Sequence, residues 1–131
     1  MDDLYRELII DRSQNSIYRG ALDPCDITFE DDNPLCGDQI RIYLRVDEHD
    51  KVSKASFTGR GCAISQASAD LLIESILGKS LDEVKALKKE YVLDLLGIEL
   101  GPVRLKCALL SLKVIKAGAY GLKEASDDLV E

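Results

Sequence analysis

The chain has 131 residues, 46% of them hydrophobic and 31% charged, which suits one domain large enough to bury a core and too short for two. A formal net charge of −7 argues against a nucleic-acid binder, because counterion release from phosphates needs a basic surface, and against an anionic membrane as partner. No apolar stretch approaches the roughly 20 residues of a membrane span, and Met1-Asp2-Asp3-Leu4-Tyr5-Arg6 lacks leader character, so a cytoplasmic protein is expected. In a reducing compartment the four cysteines are expected to serve metal or thiol chemistry, not a disulfide framework.

Leu4, Leu8 and Ile9 are spaced for a short amphipathic helix over residues 3–12, ended by Ser13-Gln14-Asn15-Ser16. A short strand is expected around Ile27-Thr28-Phe29, followed by an acidic turn, Glu30-Asp31-Asp32-Asn33-Pro34. The clearest strand follows: Ile40, Ile42, Leu44 and Val46 alternate with Gln39, Arg41, Tyr43 and Arg45. After a turn at Glu48-His49-Asp50-Lys51, residues 52–58 supply the next strand of an antiparallel meander.

Beyond Gly59-Arg60-Gly61 the pattern is helical. Ile64, Ala67, Leu71, Leu72 and Ile76 form a stripe over residues 63–77, stopped by Gly78. Ser80 and Glu83 make a capping box for a helix running to about Lys89, and one more turn over 91–96 ends at Gly97. Pro102 opens a last long helix with Leu105, Ala108, Leu109, Leu112 and Ile115 on one face, closed by Gly118. The acidic end, 127–131, is a further helical turn or a frayed one. Strands first and helices after imply an α+β fold, with helices on one face of a small sheet.

Three cysteines fall near element boundaries. Cys36 lies in the turn Asn33-Pro34-Leu35-Cys36-Gly37-Asp38, Cys62 in the link Gly59-Arg60-Gly61-Cys62-Ala63, and Cys107 in the first turns of the Pro102 helix. A helix N-terminus stabilises thiolate, so lowered thiol pKa values are expected at Cys62 and Cys107. Asp38 completes a four-ligand set if the loops converge: three thiolates and a carboxylate hold Zn²⁺ tetrahedrally, or the irons of a cluster. The carboxylate is the harder donor and the weaker hold on an iron–sulfur cargo. Arg60, Arg104 and Lys106 flank the set and offset its negative charge. The plainer reading is three small buried residues and a turn aspartate.

Asn33-Pro34-Leu35-Cys36-Gly37-Asp38, Gly61-Cys62-Ala63-Ile64-Ser65-Gln66-Ala67-Ser68 and Pro102-Val103-Arg104-Leu105-Lys106-Cys107 resemble the three signatures of the IscU/SufU/NifU N-domain family. The similarity covers nearly the whole chain. It implies a three-stranded antiparallel sheet with helices packed on one face, and residues 1–131 as a single NifU N-terminal-like domain. It also implies a scaffold on which a [2Fe–2S] cluster is built from iron and persulfide sulfur. A pyridoxal-phosphate cysteine desulfurase supplies the sulfur, apo iron–sulfur clients receive the cluster, and Cys36, Asp38, Cys62 and Cys107 are the ligands.

The branch is mixed. Lys106 stands where IscU members carry histidine, as in SufU-type proteins, yet the stretch between Cys62 and Cys107 is short, as in IscU. Gly101 replaces the first proline of the IscU chaperone-recognition stretch. SufU-like members bind Zn²⁺ with the same four residues and take persulfide sulfur as sulfurtransferases. The resemblance thus points to a cargo-binding scaffold ahead of a turnover enzyme, with a zinc-dependent sulfurtransferase as the alternative. In that alternative Cys107, beside Lys106, is the candidate persulfide acceptor. A purely structural zinc module is a third reading, and self-association into a homo-oligomer is left open. His49, the only histidine, reads as a solvated turn residue. Cys25 reads as a semi-exposed thiol, with an auxiliary acceptor role as the outside alternative.

Overall fold

In the computed structural model, which describes residues 2–131, strands β1 (Ile27–Asn33), β2 (Asp38–Val46) and β3 (Val52–Arg60) form one antiparallel sheet in chain order. Helices α1 (Asp2–Gln14), α2 (Ala63–Ile76), α3 (Leu81–Lys85), α4 (Lys89–Leu96) and α5 (Pro102–Tyr120) accompany it, with a closing 3-10 turn at Asp127–Val130. Side chains alternate across a strand, so Ile40, Ile42 and Leu44 of β2 share one buried face with Phe57 and Ala55 of β3. Helices α2 and α5 cover that face, and α1 packs on α2. Backbone bonds between Tyr18–Gly20 and Phe57 cover part of the β3 edge. No described helix is long and apolar enough to cross a membrane.

Several expected boundaries move, and β3 runs on through Gly59 to Arg60. The acidic turn is strand: β1 runs on to Asn33, paired residue for residue with β2 down to Asn33 opposite Asp38. Acidic residues are tolerated there because alternation leaves Glu30 and Asp32 exposed, while Asp31 meets Lys113 Nζ at 3.2 Å. The capping box at Ser80 and Glu83 is present, but α3 stops at Lys85 and α4 starts at Lys89. Between them Lys88 takes extended backbone (φ −114°, ψ 166°), and the Leu87 carbonyl accepts a hydrogen bond from the buried Lys116 ammonium. Gly118, expected to close the last helix, lies inside it, and Gly121 at φ 70° is the cap. A Cβ at Gly118 would stand 3.0 Å from Ile27 Cγ2 and 3.3 Å from Phe29 Cβ, so the glycine permits close helix-to-sheet approach.

Candidate metal centre

Strand parity carries polar groups to the inner face at one end of the sheet. Asp38 continues the inward row of Ile40, Ile42 and Leu44, which leaves its carboxylate fully buried. Asn33 ends the corresponding row of β1 and is its cross-strand neighbour. Between them the turn at residues 34–37 folds back on Asn33, whose carbonyl accepts from the amides of Cys36 (3.2 Å) and Gly37 (2.9 Å). Gly37, at φ 71°, closes this turn. The Asn33 side chain holds it from both ends: Oδ1 accepts from Leu35 N at 3.2 Å, and Nδ2 donates to Cys36 Sγ at 3.6 Å.

Helix α5 brings Cys107 down onto this turn. Its buried sulfur donates to Cys36 Sγ at 2.7 Å. Cys36 Sγ, Cys107 Sγ and an Asp38 oxygen lie within 4.8 Å of one another, a compact group able to hold a metal ion. Cys62 stands at the rim. As N-cap of α2 it donates its backbone N–H to Asp38 Oδ1 at 2.8 Å, and its exposed sulfur is 3.8 Å from Asp38 Oδ2. Gly61, at φ 145°, makes the seat possible: a Cβ there would overlap Asp38 Oδ1 and come within 2.9 Å of Ser65 Oγ.

Of the four expected ligands, three are thus gathered and the fourth is tethered beside them through Asp38. The lowered thiol pKa expected at Cys107 is not found. Burial, then the neighbouring Cys36 and Asp38 side chains and the charges of Cys62 and Asp38, push its thiol well above the ordinary value. Cys107 is the sixth residue of α5, beyond the first turn in which the helix terminus acts, so desolvation decides the sign.

The donor set fits a thiophilic ion. Two thiolates across a tetrahedral zinc stand about 3.8 Å apart, so the Cys36–Cys107 pair needs to open by roughly 1 Å. The half-buried Cys36, on a turn with a glycine beside it, is the member placed to move.

Cys36, Cys62 and Cys107 open onto one cleft of about 1320 Å³. Tyr5, Ile9 and Ile10 of α1 line it together with Ile98, Leu100 and Val103. Arg104 lines the cleft as a cation beside the thiols, joined by Arg6, which sequence reasoning missed. Lys106 instead lines a second groove with Pro34 and Leu35, and Arg60 lines neither. Cys25 does not line the cleft, and His49 is exposed with Glu48 as its neighbour. Asn33 was also missed; strand parity would have found it had β1 been extended to residue 33.

Comparison with known proteins identifies relatives over most of the chain. The chain is 35% identical to a zinc-dependent sulfurtransferase SufU of Bacillus subtilis, the match covering 90% of each chain. It is also 35% identical to an iron–sulfur cluster assembly scaffold protein IscU of Thermotoga maritima, over 86% of this chain and 90% of that one. A crystal structure of a putative iron–sulfur cluster assembly scaffold protein for the SUF system, from Fervidobacterium islandicum, superposes with a TM-score of 0.76 at 29% identity, covering 86% of this chain and 94% of that one. The family model for the NifU-like N terminal domain matches residues 4–127, and the chain belongs to that family.

Proposed function

We propose that this protein is an assembly scaffold that receives iron and sulfur and hands on a [2Fe–2S] cluster held by Cys36, Asp38, Cys62 and Cys107. The observation that carries the reading is the convergence of Cys107, from a distant part of the chain, on Cys36 and Asp38 beside an open cleft. The names of the SufU and IscU relatives support it. The cluster is cargo, and the site is built to release it: the hard carboxylate of Asp38 is the weakest donor, and Cys62 is exposed at the rim. Sulfur arrives from a cysteine desulfurase as persulfide. A cysteine thiolate of this chain attacks the terminal sulfur, the S–S bond of the donor breaks, and the donor's cysteine leaves as thiolate. Apo iron–sulfur proteins are the receivers.

The position of Cys62, tethered beside the compact group with its sulfur exposed, favours one further reading: a zinc-dependent sulfurtransferase. Zn²⁺, held by the same four residues, would supply thiolate stabilisation there. Cys107 is the candidate acceptor in this reading, and the exposed Cys62 is its competitor.

The test is metal analysis followed by anaerobic incubation with iron, cysteine and a desulfurase. Visible [2Fe–2S] absorption supports the scaffold. Retained zinc with a sharp rise in desulfurase turnover supports the transferase, and mass mapping of the persulfide then chooses between Cys107 and Cys62. Neither cluster nor stimulation overturns both readings.

A further inference from the structure

Cys36 and Cys107 approach more closely than ligation requires. Their sulfurs are 2.7 Å apart, inside the roughly 3.8 Å of two thiolates across a tetrahedral ion and some 0.7 Å from a disulfide bond of about 2.05 Å. We propose that in the metal-free protein Cys36 and Cys107 form an intramolecular disulfide, and that this bond and a bound metal exclude one another, making the pair a thiol switch on the site.

Three features assign the roles. Cys36 Sγ accepts from both Cys107 Sγ–H and Asn33 Nδ2, which hold it facing the Cys107 sulfur. It is half-buried and lines the cleft, open to a small oxidant. Cys107 is buried behind it on a long helix, the resolving partner. Cys62 lies outside the compact group, and Cys25 does not line the cleft.

With a peroxide as oxidant the step balances. The Cys36 sulfur attacks one peroxide oxygen, the O–O bond breaks, and Cys36 sulfenic acid and water result. The Cys107 sulfur then attacks the Cys36 sulfur, the S–O bond breaks, and hydroxide leaves with the Cys107 proton as a second water. Two electrons pass from the thiol pair to the peroxide. A bound ion blocks the second attack by occupying both sulfurs and holding them apart. The switch rests on the metal reading given above; the bond itself does not.

The test uses the full chain, reduced and stripped with a chelator, treated with graded hydrogen peroxide, alkylated and mapped by mass spectrometry without reduction. Two of the four free thiols should be lost, one Cys36–Cys107 linked peptide should appear in monomeric protein, and a dithiol should restore both thiols. Cys25→Ser and Cys62→Ser should give the same link. Preloaded zinc should slow the link, and zinc should be released in step with its formation. A link dominated by Cys62 or Cys25, disulfide dimers, or Cys36 sulfinic acid without a link would overturn the proposal. If the link forms and zinc gives no protection, the switch and the metal reading fall while the bond stands.

Discussion

Asp38 has two separable duties, ligand and tether, and two substitutions part them. Its Oδ1 accepts the Cys62 amide at 2.8 Å, a hydrogen bond to a charged group worth about 1.5–3 kcal/mol. Asp38→Ala removes tether and ligand together. For a chain of this length the unfolding entropy is about 0.28 kcal/mol/K, so the metal-free variant should melt roughly 5–11 °C lower. Asp38→Asn keeps an oxygen for the Cys62 amide and places an N–H donor toward Cys62 Sγ, so its melting point should fall by less than half as much. Both variants lose the exchangeable carboxylate, so a reconstituted cluster should decay more slowly in both, read as loss of visible absorption under anaerobic chase with apo-acceptor. Faster decay in both would refute the labile-ligand argument. Equal melting points for the two variants would refute the tether.

Neighbouring residues carry further consequences. Asn33→Ala removes the N–H donor to Cys36 and the acceptor for Leu35 N; it should cost about 1–3 kcal/mol in denaturant titration and speed zinc loss to a chelator. Gly61→Ala forces a side chain into Asp38 at φ 145°, and should cost at least about 1–3 kcal/mol with metal retention falling further than in Asn33→Ala. Arg12→Ala strands Asp70, which is fully buried and also accepts the amides of Ile17 and Tyr18; breaking such a pair costs about 3–5 kcal/mol, measurable by calorimetry. The Cys107 thiol is held above its ordinary value of 9.0, so the folded state favours the protonated form. Its contribution to stability is complete below about pH 9 and lost as pH rises further. The metal-free melting point should therefore fall in alkali, and Cys107→Ala should flatten that fall.

Strict alternation made β2 legible, and the same parity gave Asp38 its inward place. Glu30-Asp31-Asp32 hid the second half of β1, because three acids in a row read as a turn until Lys113 is seen across from Asp31. No local pattern announces Lys116, whose ammonium is satisfied by a carbonyl 29 positions away. The candidate ligands were legible from motif residues, since each lies within about two turns of an element boundary. Their grouping was not, because the gap between Cys62 and the other two sulfurs depends on how α2 and α5 seat on the sheet. The sign of the Cys107 shift was hidden for the same reason: burial is a tertiary property, and it outweighs position along the helix.

Cys107 and Gly118 are eleven positions apart on α5, about three full turns, so they share one face of the rod some 16 Å from each other. Gly118 meets Ile27 and Phe29 with no side chain of its own, so the helix that carries the buried thiol lies directly against β1 there. A methyl group at this remote point would make Ile27, Phe29 or the helix give by a few tenths of an ångström.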